Sequence, residues 1–351
     1  MLDWVVIGAG PAGIAAVGKL LDAGISSQKI GWIDPYFTVG DLGRKWSQVP
    51  SNTRVALFTQ FLKECKAFQF QERSKKFHLE GLNQEEQCLL QHIVEPLQWV
   101  SDHLKQRVHV FQNVAMALRL SNKRWEIKTK DRSIFARNVI LAIGSDPKIL
   151  SYPEIEVLSL EVALDPEKLS QNIVTQDTVG VFGSSHSAIL ILANLLRLKP
   201  KAVINFYRSP HRYAIFLNGW ILHDDSGLKG FAAEWAKEYL DGSMPVNLDR
   251  ILVADHTFEE SLALCNKVVY AVGFERRKLP ILEQYENLDY DDKTGIIAPG
   301  LFGIGIAFPQ AKFDPLGHLE FRVGLWKFMD YLNTILPIWI NYSNKGSERF
   351  N

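Results

Sequence analysis

Cysteine is scarce in this chain. Cys65, Cys88 and Cys265 are its three thiols among 351 residues, and no two of them form a C-x-x-C pair. That spacing excludes a redox dithiol and a zinc knuckle, and sparse unpaired thiols fit a reducing cytosol. Net charge is lacking too. Lys+Arg and Asp+Glu both number 39, so there is no electrostatic footprint for nucleic acid or for an acidic membrane surface. Long apolar runs are missing. The stretch from Leu332 to Ile340 is too short to span a bilayer and is interrupted by Pro337. The apolar N-terminus has no basic n-region of the kind a signal peptide carries. No low-complexity tract and no short-period repeat is visible, and no metal-ligand cluster or nucleophile–base pair stands out.

What is present is a core and a fingerprint. The hydrophobic fraction is 47%, and the length suits two domains or one large one. Trp4-Val5-Val6-Ile7 reads as a strand. It leads into Gly8-Ala9-Gly10-Pro11-Ala12-Gly13, and Ile14 to Leu21 follows as an apolar helix. Gly8 permits the tight turn, Gly10 lets a pyrophosphate approach the backbone, and Gly13 lets helix pack on strand. The helix N-terminus offers free N–H groups and partial positive charge to phosphates. A second strand, Lys29 to Ile33, ends in Asp34, where a carboxylate can accept from both hydroxyls of an adenosine ribose.

The plan then repeats. Thr178 to Phe182 is a strand, Gly183-Ser184-Ser185-His186-Ser187-Ala188 fills the fingerprint slot, Ile189 to Leu198 is an apolar helix, and Ala202 to Tyr207 is the next strand, with Arg208 just beyond it. Val139 to Gly144 and Lys267 to Gly273 are matching apolar strands that end in glycine. Two copies of a nucleotide-binding plan argue for two nucleotides. Between them, Met116–Leu120, Trp125–Thr129 and Ser133–Phe135 read as an antiparallel meander. Pro50-Ser51-Asn52-Thr53 reads as a turn, Leu301 to Ile306 as a late strand, and Gly317 to Leu332 as a final helix. The expected fold is α/β with two Rossmann-like domains and a small antiparallel β meander. One domain is discontinuous, residues 1–150 plus 285–351, and the other, 151–284, is inserted.

These residues resemble the flavoproteins with two dinucleotide-binding domains: thioredoxin-reductase-like enzymes, flavin-containing monooxygenases and lysine/ornithine N-hydroxylases. The resemblance covers nearly the whole chain. It implies that Gly8 to Gly13 bind the FAD pyrophosphate and Asp34 its ribose, with Val114 beside the adenine. Leu141-Ala142-Ile143-Gly144 is similar to the motif usually written A-T-G, with Ile143 in place of Thr. Leu301 to Ile306 resembles the late FAD motif, with Gly305 kept and Ile306 where many members have the Asp that holds the ribityl chain. The second fingerprint is similar to G-S-G-Q-S-A, with Ser185 replacing the second glycine, and it implies an NAD(P)H site to which Gly273 also belongs. Arg208 stands where a group meets the adenosine 2′ position. This favours NADPH, with NADH as the alternative. Gly43-Arg44-Lys45-Trp46 and Pro50 to Thr53 resemble segments near the isoalloxazine, where an Asn at the place of Asn52 faces flavin and nicotinamide. Two departures matter: the group's dithiol is missing, and so is the monooxygenase linker motif F-x-G-x-x-x-H-x-x-x-[YFW].

Several residues keep two readings at this level. Asn52 is a catalytic amide or a turn residue, Trp46 a flavin cover or core filling, and His186 a cofactor contact or a plain helix-start residue. His318 is expected near the start of the last helix, as a surface or supporting residue. The function expected is an FAD-dependent, NAD(P)H-using oxidoreductase. A monooxygenase acting on a small soft nucleophile leads. A reductase with another electron acceptor, or a weakly active flavin-binding sensor, remains open. The substrate is an unidentified small molecule, the location cytoplasmic and the oligomeric state open.

Overall fold

The computed structural model describes residues 1–152, 154–285 and 289–348, with the backbone alone for 343–348. Of the segment 285–351 expected to complete the first domain, residues 286–288 and 349–351 lie outside this description, as does residue 153 of the inserted one. The Leu2–Ile7 strand is buried from Trp4 onward, on both faces of its sheet, as a central parallel strand must be. It pairs in parallel with Ile30–Ile33 on one side and Ser133–Leu141 on the other. The sheet extends through His109–Phe111 at one edge and through the antiparallel strands Arg124–Lys128 and Ala117–Ser121 at the other. The late strand Leu301–Gly303 also pairs with Ser133–Leu141, and Ile281–Leu282 joins at Ala117.

A second, five-stranded parallel sheet runs Glu156–Leu158, Lys267–Tyr270, Thr178–Phe182, Ala202–Tyr207, Leu248–Leu252. In each sheet the strand that carries the fingerprint is central and the next strand lies beside it. Asn205 therefore stands opposite Val181 as Trp32 stands opposite Val6. Two connections run between the sheets. Ser145–Pro147 and Phe274–Arg276 pair antiparallel, and Arg277 ties this crossing down. Its guanidinium donates to Asp146 at 2.8 Å and to Asp41 at 2.6 Å.

The helix Pro11–Asp22 begins with proline, which has no N–H to leave unpaired there. Its apolar face packs into a core with Trp32, Phe61, Phe68 and Trp339, all fully buried. Burial of each such side chain contributes on the order of 2–3 kcal/mol. Among the described residues no helix is long and apolar enough to cross a membrane, and no group of three or more His, Cys, Asp or Glu could hold a metal ion.

Four features differ from the sequence reading. Ser133–Phe135 and the apolar run from Val139 belong to one nine-residue strand, because the meander continues straight into the parallel sheet. Pro50–Arg54 is a strand, paired with Gln87–Leu89, and not a turn. The last helix starts at Leu325, eight residues after Gly317, which instead turns a hairpin between Gln310–Phe313 and Leu319–Arg322. A further hairpin, Ile215–Leu217 with Trp220–Leu222, projects from the second unit. Strands of three to five residues are too short for their side-chain pattern to separate them from turns or helix.

Candidate functional site

The first fingerprint is built on close backbone approach. Gly8 has φ +112°, and a Cβ there would lie 2.2 Å from the Ala142 carbonyl oxygen. A Cβ at Gly13 would lie 1.9 Å from the Gly8 carbonyl, one at Gly40 2.9 Å from the Gly10 Cα, and one at Gly305 2.8 Å from the Ala12 Cβ. Strand end, helix start and two distant loops thus converge with no room for side chains. A Cβ on Gly10 would meet only the Gly40 Cα, at 3.9 Å, so Gly10 faces open space. No side chain caps the helix that follows, which leaves its first-turn N–H groups for an anion. This cradle fits a dinucleotide pyrophosphate.

Asp34 sits at the end of Ile30–Ile33, as expected. One carboxylate oxygen accepts from the Ala9 N–H at 2.8 Å, and the other from Tyr36 and Phe37 N–H at 2.8 and 2.7 Å. The carboxylate is thereby fixed against the fingerprint with lone pairs remaining for ribose hydroxyls. Val114 lies in the connection after His109–Phe111, exposed, near the same strand end. Ala142 is buried against Gly8, Ile143 is half-buried, and the Gly144 carbonyl accepts from Arg277 N–H at 3.2 Å. Ile306 is partly exposed just after Gly305. Trp46 packs edge-on against Phe274, at 6.2 Å between ring centres, beside the inter-sheet connection.

The second fingerprint repeats the design. Gly183 has φ +125°, and a Cβ there would lie 2.4 Å from the Ala271 carbonyl. Ser184 donates to the Ser209 carbonyl at 2.7 Å, which pins the turn that follows Arg208 to the fingerprint. Arg208 itself is exposed. Ser185 stands at the N-cap of His186–Leu198 without a side-chain cap bond, so this helix start also keeps its N–H groups. The Gly273 backbone borders open space, and its carbonyl accepts from Lys148 N–H at 2.9 Å. Ser187 lies in the first turn of the same helix, half-buried. Both ring nitrogens of His186 are buried with no hydrogen-bond partner. Burial, and then the nearby Lys229 charge, push its pKa down to about 4. A neutral imidazole with two unused nitrogens at the helix start suits a nucleotide site.

Sequence reasoning missed residues that hold both fingerprints. The Trp32 indole donates to the Gly8 carbonyl at 2.9 Å, and Asn205 donates to the carbonyls of Gly183 at 2.7 Å and Val181 at 3.0 Å. A fully buried Asn in the apolar run Ala202–Tyr207 was the available signal. Asn52 lines a cavity of about 870 Å³ that reaches across to the second unit. At its floor Asp224 accepts from Lys327 at 2.6 Å and from Lys229, and the Asp224 N–H donates to Glu320 at 3.0 Å. His318 lies on the hairpin turn, bonded to Asp314 at 3.0 Å, and not at a helix start.

A model of the pyridine nucleotide-disulphide oxidoreductase family matches residues 5–298. The chain belongs to this family. It is an FAD- and NAD(P)H-type oxidoreductase, and the monooxygenase AgnR1 of Paecilomyces divaricatus is 33% identical to it, over 96% of this chain and 97% of that one. Solved structures share the fold. The L-lysine 6-monooxygenase of Pseudomonas syringae has a TM-score of 0.65 at 15% identity, over 97% of this chain and all of the other. The bacillithiol disulfide reductase of Staphylococcus aureus has 0.63 at 11%, over 97% and 98%. Among the described residues, no cysteine lines the Asn52 cavity. Cys65, Cys88 and Cys265 are free, and burial pushes all three thiols up, Cys88 and Cys265 to about 11. A thiol so shifted supplies almost no nucleophilic thiolate at neutral pH.

Proposed function

We propose that this member of the family is an NADPH-dependent flavin monooxygenase acting on a small organic nucleophile beside Asn52, in a reducing, cytoplasmic setting. The observation that carries the reading is the Asn52 cavity, bounded by segments of both nucleotide units, in a chain with no cysteine pair. Residues 1–150 with 285–351 would hold FAD, and 151–284 the reduced nicotinamide nucleotide. FAD, when bound, supplies hydride acceptance and oxygen activation. The chain's own residues do the rest. The Gly8 to Gly13 loop and Asp34 fix one end of the cofactor, Gly305 closes on Ala12, and the Asn52 carboxamide offers donor and acceptor without charge.

The test is Asn52→Ala at matched flavin content. Loss of one preorganised donor is expected to slow product formation about a hundredfold, or to divert NADPH consumption to hydrogen peroxide. Unchanged rate and peroxide yield would remove Asn52 from the site. NADPH oxidation that depends on an added electron acceptor and not on oxygen would instead establish a reductase.

A further inference from the structure

The Asn52 cavity is walled by three two-stranded ribbons: Pro50–Arg54 with Gln87–Leu89, Ile215–Leu217 with Trp220–Leu222, and Gln310–Phe313 with Leu319–Arg322. Its volume of about 870 Å³ is in the range of pockets that enclose a whole drug-sized molecule, far more than a nicotinamide ring or a short amine fills. Four aromatic side chains line it: Phe216, Trp220, Phe313 and Trp326. The mouth is apolar as well. Phe216, Leu217 and Phe313 are 50%, 44% and 65% exposed. Apolar surface of that extent on a water-facing rim marks a binding region.

The charged side chains of the lining are nearly balanced in sign, and most of them are paired. Asp224 is shared by Lys229 and Lys327, and its N–H is bound to Glu320. Arg54 pairs with Glu85 at 2.6 Å, Arg322 with Asp330 at 2.7 Å, and Asp314 with its own turn and His318. Lys312 and Asp225, of opposite sign, are exposed at the edge. Two lysines and two carboxylates therefore make up a floor with no surplus charge to recognise an ammonium or a carboxylate. Burial, with Asp225 and Asp224 nearby, holds the Glu320 carboxyl above its usual range. The lining still offers both acceptors and donors, in Glu320, Lys327 and Asn52. A hydroxyl can satisfy both kinds; a carbonyl can only accept.

Resting on the monooxygenase reading, we infer that the cavity is the substrate site for a neutral phenol of two or more fused rings. The rings stack among Phe216, Trp220 and Trp326 and the hydroxyl meets the Glu320–Lys327 floor. The balance is that of an oxygenation. NADPH gives a hydride, solvent gives a proton, one atom of O₂ enters a ring C–H bond next to the hydroxyl, and the other leaves as water. A phenol whose proton is drawn toward Glu320 is the electron-rich nucleophile this reaction needs.

The experiment is calorimetric titration of the full-length, FAD-loaded protein with 2-naphthol and its charged counterparts 2-naphthoate and 2-naphthylmethylamine, with and without NADP⁺. 2-Naphthol is expected to bind at least about tenfold tighter than either, a difference of 1.4 kcal/mol. Phe216→Ser, at a half-exposed position on a ribbon, should weaken it about tenfold with flavin content unchanged. Equal or tighter binding of a charged counterpart overturns the inference, as does an unaffected Phe216→Ser or full displacement of 2-naphthol by NADP⁺, which would make the cavity the nicotinamide cleft. Because heat of binding needs no turnover, failure of NADPH to reduce the flavin is a separate result. It sinks the monooxygenase reading and leaves the binding answer standing.

Discussion

The Asn205 carboxamide lies 2.7 Å from the carbonyl oxygen of Gly183, the first glycine of the second fingerprint. Trp32 holds the same post over Gly8 in the first unit. Asn205 also accepts from Arg250 at 3.0 Å, so one buried amide ties fingerprint, strand and neighbouring strand together. Asn205→Ala leaves buried carbonyls short of a donor, which costs about 1–3 kcal/mol. We expect a lower melting temperature and a raised KM for NADPH, with flavin content kept. Denaturant unfolding and steady-state kinetics on the same preparation check this, and an unchanged KM would confine Asn205 to packing.

At Gly10 the protein has space for a side chain and the cofactor does not. With only the Gly40 Cα in reach, at 3.9 Å, Gly10→Glu is expected to fold and to place a carboxylate where the pyrophosphate belongs. The flavin-to-protein ratio should fall to about a tenth or less, because like charges at contact in a partly dry site repel by several kcal/mol. Absorbance at the flavin band against total protein gives the answer.

Arg208 is exposed on a turn fixed to Ser184 through Ser209. A charge-assisted bond to a 2′-phosphate is worth about 1.5–3 kcal/mol. Arg208→Ala should therefore raise KM for NADPH by about tenfold or more and leave that for NADH nearly unmoved. Equal effects on the two nucleotides would exclude a 2′-phosphate contact.

His186 gives a pH dependence with a definite sign. Its pKa falls from 6.5 to about 4 on folding, through burial first and Lys229 second. As pH drops below 6.5 the unfolded chain takes up this proton and the folded one does not. Stability present above pH 6.5 is thus lost between 6.5 and 4, by on the order of 3 kcal/mol when complete. His186→Gln should remove that part of the acid sensitivity. The stability difference between wild type and variant, measured from pH 7 to 4.5, is expected to shift against the wild type as pH falls. A constant difference would show that the ring is solvated.

The fingerprints were legible because their constraint is local. A glycine whose Cβ would strike the Ala142 or Ala271 carbonyl is demanded wherever strand turns into helix on that sheet, and the apolar strands around it are continuous. Asn52 was legible as a residue and illegible as a position. The Pro50–Arg54 strand exists only because Gln87–Leu89 pairs with it. The helix expected at Gly317 failed for a like reason, since Leu319 to Val323 has apolar spacing that suits a ribbon as well as a helix.

The sequence by itself determined two nucleotide-binding units, the chain order of their strands, and the absence of a C-x-x-C dithiol, because each follows from short contiguous patterns with steric or chemical necessity. Only the tertiary structure decided what lies between the units. Asp224 and Lys229 stand on one loop, Glu320 on the Leu319–Arg322 strand and Lys327 on the last helix, and each looks like an ordinary surface charge in its own segment. They become the floor of the cavity once chain folding brings segments nearly a hundred residues apart within hydrogen-bonding distance. Coulomb attraction at contact, and the cost of burying an unpaired charge, then hold them there.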